Sequence, residues 1–218
     1  MSRRFDTLIF DLDGTLADTF PDVVISVNVG RAAMDRPPVP DAEVRRAIGP
    51  GRQVFLDTLM PSASGVEQQA FLDAFRAHYE THCLDTTQLY PGMETVLESV
   101  KDLRLAVATN KPGPTARKIL EGLGVLGHFQ RLLGPGEVRH PKPHPEMVVR
   151  ALMELGSEPE TALFIGDTVL DIQAGQAAGV AVAAAGWGYG HPEEIKSHRP
   201  DFILEKPVDI HHTLHINC

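Results

Sequence analysis

Along most of the chain, apolar runs of four to six residues alternate with segments of helical period, and this alternation limits the fold more than any other feature. The runs are Asp6 to Asp11, Arg104 to Thr109, Phe129 to Leu133, Ala162 to Gly166, Val180 to Ala184 and Asp201 to Leu204. Strands separated by helices are joined by crossovers, so they pair in parallel and need helices on both faces of the sheet. Val148, Ala151, Leu152 and Leu155 repeat at the spacing of one such helix, with Pro145 suited to its first turn. Between Phe20 and Cys83 the alternation stops. No strand stands out there, and Phe71, Phe75 and Tyr79 recur every four residues, the mark of an apolar helix face. The expected fold is α/β, a parallel-sheet core of residues 1–15 and 86–218 with a helical insert at 16–85. Pro91-Gly92 would make the turn that returns the chain to the core.

A chain of 218 residues, 43% hydrophobic, can bury a substantial core. Its formal net charge of −9, without any Lys/Arg cluster, argues against nucleic acid or an anionic membrane as partner. No apolar run of membrane-spanning length occurs, and neither a secretion signal nor a membrane span is expected. Cys83 and Cys218 are the two cysteines, too few for a disulfide framework, and a cytoplasmic location is expected.

In an open parallel sheet, ligands bind at the carboxyl ends of the strands. Here the first strand runs into Asp11-Leu12-Asp13, the second into Thr109-Asn110-Lys111, and the fourth into Gly166-Asp167-Thr168, with Asp171 shortly after. Lys142 stands in a proline-rich loop before the fourth strand. If the first strand runs on through Asp11 and Asp13, their side chains share a face, and two such carboxylates need a cation or a shared proton between them. The set suits phosphoryl transfer to a carboxylate. Mg²⁺ takes one or two protein carboxylates, here Asp11 and Asp167. Asp11 would attack phosphorus, and Asp13 would protonate the leaving alcohol and later activate water. Thr109 and the amides that follow it, Asn110 first, would hold phosphoryl oxygens, with Lys142 bridging nucleophile and phosphate.

DLDGTLADT, VATNK, PKPHP and GDTVLDI, in this order and with a helical segment after the first, resemble the four motifs of the haloacid dehalogenase superfamily. The resemblance spans Phe5 to about Leu204. It implies a Rossmann-like core carrying an inserted α-helical cap domain. It also implies Asp11 as nucleophile, Asp13 as acid and base, and Thr109 and Lys142 as phosphate ligands. Mg²⁺ would be bound by Asp11, the main-chain carbonyl of Asp13 and Asp167, with Asp171 supporting the metal shell. Haloalkanoate-cleaving members lack the second Asp of the first motif, so Asp13 favours a phosphatase. The stretch from Ala185 to Gly190, together with RPDFILEKP, is similar to 2-phosphoglycolate phosphatases, which implies a small phosphorylated metabolite as substrate. Arg52, in the loop segment after Ile48, is the candidate for a substrate carboxylate or second charge.

The same motifs fit a sugar-phosphate mutase of the β-phosphoglucomutase kind, or a phosphatase of sugar phosphates, pyrophosphate or nucleotides. A phospho-accepting regulatory module of similar α/β architecture is the non-enzymatic alternative. Elsewhere the expectations are structural. Cys83 reads as a packed thiol, and Trp187 as either an entrance residue or a loop aromatic on the sheet edge. His211 and His215, with Cys218 beyond, lack the further ligands of a zinc site.

Overall fold

The computed structural model describes residues 4–214; His215 and Cys218, the outer members of the tail pattern, lie outside these. In chain order the strands are β1 Thr7–Phe10, β2 Ala17–Asp18, β3 Gln88–Leu89, β4 Arg104–Ala108, β5 Arg131–Leu133, β6 Ala162–Gly166, β7 Ala181–Ala185 and β8 Phe202–Leu204. The helices are α1 Phe20–Ala32, α2 Asp41–Ala47, α3 Arg52–Leu59, α4 Gly65–His82, α5 Met93–Ser99, α6 Gly113–Gly122, α7 Glu146–Leu155, α8 Val169–Ala178, α9 Pro192–Ser197 and α10 Ile210–Leu214. The chain divides into two compact units, one made of the chain up to Asp18 and from Leu89 onward, the other of Thr19–Gln88.

The first unit is an α/β fold on six parallel strands in the order β5-β4-β1-β6-β7-β8. Each of the six apolar runs supplies one of these strands. β1 and β6 are buried along their whole length and β4 everywhere but Arg104, as parallel strands covered on both faces must be. Helix α7 turns Met147, Val148, Ala151 and Leu152 into a cluster with Ile9, Ala106 and Phe164. It stops at Gly156, whose φ of 63° is the left-handed conformation that ends helices. After β1 the chain moves to one side, through β4 to β5, and then crosses to β6 on the other side of β1. That reversal opens a crevice beyond the carboxyl ends of β1, β4 and β6.

The second unit contains α1 to α4 and no strand other than the first residue of β3. Ser64 and Glu67 close a reciprocal capping box at the start of α4. On the buried side of that helix Phe71, Phe75 and Tyr79 stack in series, with centroids 6.3 and 5.6 Å apart, and Phe55 of α3 packs on Phe71 and Phe75. Cys83 is buried at the end of α4, as expected of a packed thiol.

Asp22, in the first turn of α1, ties the two ends of this unit together. Its carboxylate accepts hydrogen bonds from the main-chain N–H and the hydroxyl of both Thr86 and Thr87, at 2.5 to 3.1 Å. Burial pushes its pKa up, but these bonds outweigh burial and hold it below the ordinary value of 3.8. A carboxylate with a depressed pKa stabilises the fold above its unfolded pKa and loses that contribution as pH falls through the folded value. Asp22→Ala is therefore expected to cost about 2–4 kcal/mol at neutral pH. In urea titrations the gap to the parent should shrink as pH falls from about 4 through the folded pKa, because the unfolded chain takes up the proton first and the native carboxylate follows.

Candidate functional site

The main-chain N–H of Asp11 still bonds to Ile165 O of β6 at 2.9 Å, which sets Asp11 at the mouth of the crevice. The strand itself ends at Phe10, so alternation along β1 does not bring Asp13 to the same face. A tight turn does. Gly14 adopts φ 82°, the amides of Thr15, Leu16 and Ala17 bond to Leu12 O, and Asp13 bridges to Ala17. A Cβ on Gly14 would overlap the carboxylate of Asp167, so this turn approaches the end of β6 as closely as only glycine allows.

Lys142 is buried at the centre. Its ammonium lies 2.6 Å from Asp171 Oδ1 and 2.8 Å from Asp11 Oδ1. Burial works against its charge, yet the two carboxylates outweigh it and hold its pKa above the ordinary range. The main chain of Lys142 is fastened by Asn110, whose side-chain amide donates to Lys142 O and accepts from Lys142 N, both at 3.0 Å. The Lys142–Pro143 bond is cis. Asp171 accepts from the N–H and hydroxyl of Thr168, closing a capping box at the start of α8, so one carboxylate serves the helix and the lysine together. Asp167 is fully buried; Thr15 Oγ1 donates to one of its oxygens and Tyr189 N to the other.

Asp11, Asp167 and Asp171 each place a carboxylate oxygen within 4.8 Å of the others. Burial and the neighbouring carboxylates outweigh Lys142 and push Asp11 up to about 7. Burial, with Asp171 and Asp11 adding to it, raises Asp167 as well. The contact from Lys142 to Asp11 Oδ1 is an ion pair outside hydrogen-bond geometry, and that buried oxygen receives no hydrogen bond. Three converging carboxylates, one ammonium among them and one buried oxygen without a donor fit a hard divalent cation with oxygen ligands. The contacts from Thr15 and Tyr189 would then orient Asp167, as outer-shell partners orient metal ligands.

Of the residues singled out in the sequence, Asp11, Asp13, Asn110, Lys142, Asp167 and Asp171 converge here. Thr109 directly follows β4, beside β1, and its hydroxyl accepts from Lys111 N at 3.2 Å. Arg52 opens α3 in the second unit, exposed, and donates to Gln69 Oε1 at 2.8 Å. Several contributors went unassigned in the sequence. Lys111 Nζ pairs with Asp13 Oδ1 at 2.6 Å, both side chains largely buried. Trp187 Nε1 donates to Thr15 O and Tyr189 Oη to Asp18, so the loop after β7 braces the turn after β1. Trp187, read from the sequence as either an entrance residue or a sheet-edge aromatic, is partly exposed in the loop after β7. Its neighbour in the glycine-rich stretch was the available signal, since Tyr189 reaches Asp167 through its amide.

A family model described as haloacid dehalogenase-like hydrolase matches residues 8–185. The chain is 34% identical to an N-acetylmuramic acid 6-phosphate phosphatase of Pseudomonas aeruginosa, over 95% of this chain and 93% of that protein. It is also 34% identical to a phosphoglycolate phosphatase of Aquifex aeolicus, over 93% of each. A solved structure described as a predicted phosphoglycolate phosphatase of Haemophilus somnus superimposes with a TM-score of 0.91 at 30% identity, covering 96% of this chain and 97% of that one.

Proposed function

We propose that this chain, which belongs to the haloacid dehalogenase-like hydrolase family, is a Mg²⁺-dependent phosphomonoesterase working through an aspartyl-phosphate on Asp11. The observation that carries the reading is the buried Asp11 carboxylate at the mouth of the crevice, held 2.8 Å from the Lys142 ammonium and close to the carboxylates of Asp167 and Asp171. A carboxylate positioned by an ammonium at the end of a strand suits a nucleophile. Asp11 and Asp167, with the main-chain carbonyl of Asp13 and with Asp171 in support, would hold Mg²⁺. When bound, the ion neutralises phosphoryl charge.

An Asp11 carboxylate oxygen attacks phosphorus, and the bond from phosphorus to the ester oxygen breaks. Asp13 gives its proton to the departing alcohol, then takes one from the water that attacks the acyl phosphate, releasing phosphate and restoring Asp11. Lys142 lies against the attacking carboxylate and offsets its repulsion from the incoming dianion. The hydroxyl of Thr109 and the amide of Asn110 bind phosphoryl oxygens, while the Asn110 side chain keeps Lys142 in place. Lys111 orients Asp13 through their ion pair. In this reading the second unit is the cap domain, and Arg52 is its candidate for a second substrate charge.

The leading substrate is 2-phosphoglycolate. N-acetylmuramic acid 6-phosphate is the second reading, because the relatives acting on the two are equally similar to this chain. Both substrates are phosphate esters bearing a carboxylate, the charge assigned to Arg52.

The test is phosphate release, with Mg²⁺ and with EDTA, over a panel of 2-phosphoglycolate, N-acetylmuramic acid 6-phosphate, β-glucose 1-phosphate, pyrophosphate and nucleoside monophosphates. Release is expected only with the metal, with the highest kcat/KM on 2-phosphoglycolate. A preference for N-acetylmuramic acid 6-phosphate keeps the mechanism and changes the substrate. Isomerisation of β-glucose 1-phosphate without free phosphate would make the protein a mutase. A long-lived phospho-aspartate with no ester turned over would make it a regulatory module.

A further inference from the structure

The loop that delivers Lys142 inward carries a second set of donors on its outer side. His140, His144 and Glu146 each offer a ligand atom, all within 4.8 Å of one another, and all three are at least partly open to solvent. His140 Nδ1 lies 2.9 Å from Glu146 Oε2, and the rings of His140 and His144 are 4.5 Å apart. From these residues we infer a further cation site, distinct from the carboxylate cluster around Lys142, for a transition-metal ion of the Zn²⁺ class.

The donor chemistry selects the ion. Two imidazoles and one carboxylate are the ligands of a borderline metal such as Zn²⁺, whereas Mg²⁺ prefers oxygen. With metal–ligand bonds of about 2.1 Å, tetrahedral ligands stand roughly 3.4 Å apart, so the present spacing closes onto an ion by small side-chain rotations. A ring nitrogen 2.9 Å from a carboxylate oxygen must share a proton with it, and the ion takes the place of that proton. His144 Nδ1 accepts from Glu146 N at 3.2 Å, which fixes its ring beside Glu146.

The backbone holds these groups in place before any metal arrives. His140-Pro141-Lys142-Pro143-His144-Pro145 alternates proline with every other residue, which fixes half of the φ angles and lowers the entropy lost on binding. Glu146 is further anchored by the amides of Arg139 and His140, which both donate to its carboxylate. Such second contacts orient metal ligands and hold their affinity. The remaining position of a four-coordinate ion opens to water, since His140 and His144 are exposed.

The site is tested by calorimetric titration of the whole chain with Zn²⁺ in excess Mg²⁺, which occupies the oxygen-ligand cluster. One Zn²⁺ per chain at micromolar affinity is expected, weakened roughly tenfold or more in His140→Ala and in His144→Ala. A variant with His211, His212 and His215 all changed to alanine should keep it. Circular dichroism confirms that the exposed-residue variants are folded. Absence of micromolar binding by the parent overturns the inference. So does binding that the loop variants retain, or that the tail variant loses.

Discussion

Asp11→Asn is expected to lower phosphate release by about four orders of magnitude or more while the chain stays folded. The amide is nearly isosteric with the carboxylate, but neither its oxygen nor its nitrogen attacks phosphorus at neutral pH. Stability should survive because the position is a costly one for charge. Burial, with Asp171 and Asp13 nearby, raises Asp11 to about 7 in the absence of an ion, so a neutral side chain relieves repulsion as it gives up one contact with Lys142. Steady-state phosphate release and a thermal melt on the same preparation check both halves. Turnover at the parent rate would remove Asp11 from the nucleophile's role, whatever the substrate.

Lys142→Met should be damaging in a different way, losing stability together with activity. Lys142 is the only ammonium paired with Asp11 and Asp171 among the described residues, and both carboxylates are buried. Removing one partner of a buried ion pair leaves uncompensated charge, at about 3–5 kcal/mol. Asp171→Asn on the same background should recover part of that, because it removes one stranded carboxylate while an amide oxygen at 171 still accepts from Thr168 N in the capping box. Urea unfolding of the parent, the two single variants and the double variant measures the coupling. Additive effects would show that Lys142 and Asp171 do not act as a pair. Lys142→Arg is not expected to restore turnover, since a planar guanidinium does not fit where a compact ammonium meets two carboxylates at 2.6 and 2.8 Å.

Periodicity made the α/β core legible because it records burial directly. All six apolar runs became parallel strands, and Val148, Ala151 and Leu152 became the buried face of α7, since a strand covered on both sides and a helix covered on one leave different spacings. The crossings between the units were less legible. β2 and β3 are two residues each, too short to carry any period. The motif residues were readable as strand-end groups with unusual chemistry, but not their division of labour. Asn110, expected to meet phosphate, spends its side chain on the backbone of Lys142, and Lys111, three residues from the end of β4, reaches Asp13 on another loop.

By itself, then, the sequence determined the six strands of the sheet, where helical period lies between and beside them, and which acidic and basic residues stand where a strand gives way to a loop. It could do so because these depend on neighbours a few positions apart. Only the tertiary structure decided that Asp11, Lys142, Asp167 and Asp171 share one crevice and that Lys111, Thr15 and Tyr189 hold them there. Those contacts span from 22 to 152 residues of chain. They follow from the strand order, with β4 and β6 on either side of β1, which is settled by how the helices pack on the two faces of the sheet and leaves no local trace in the chain.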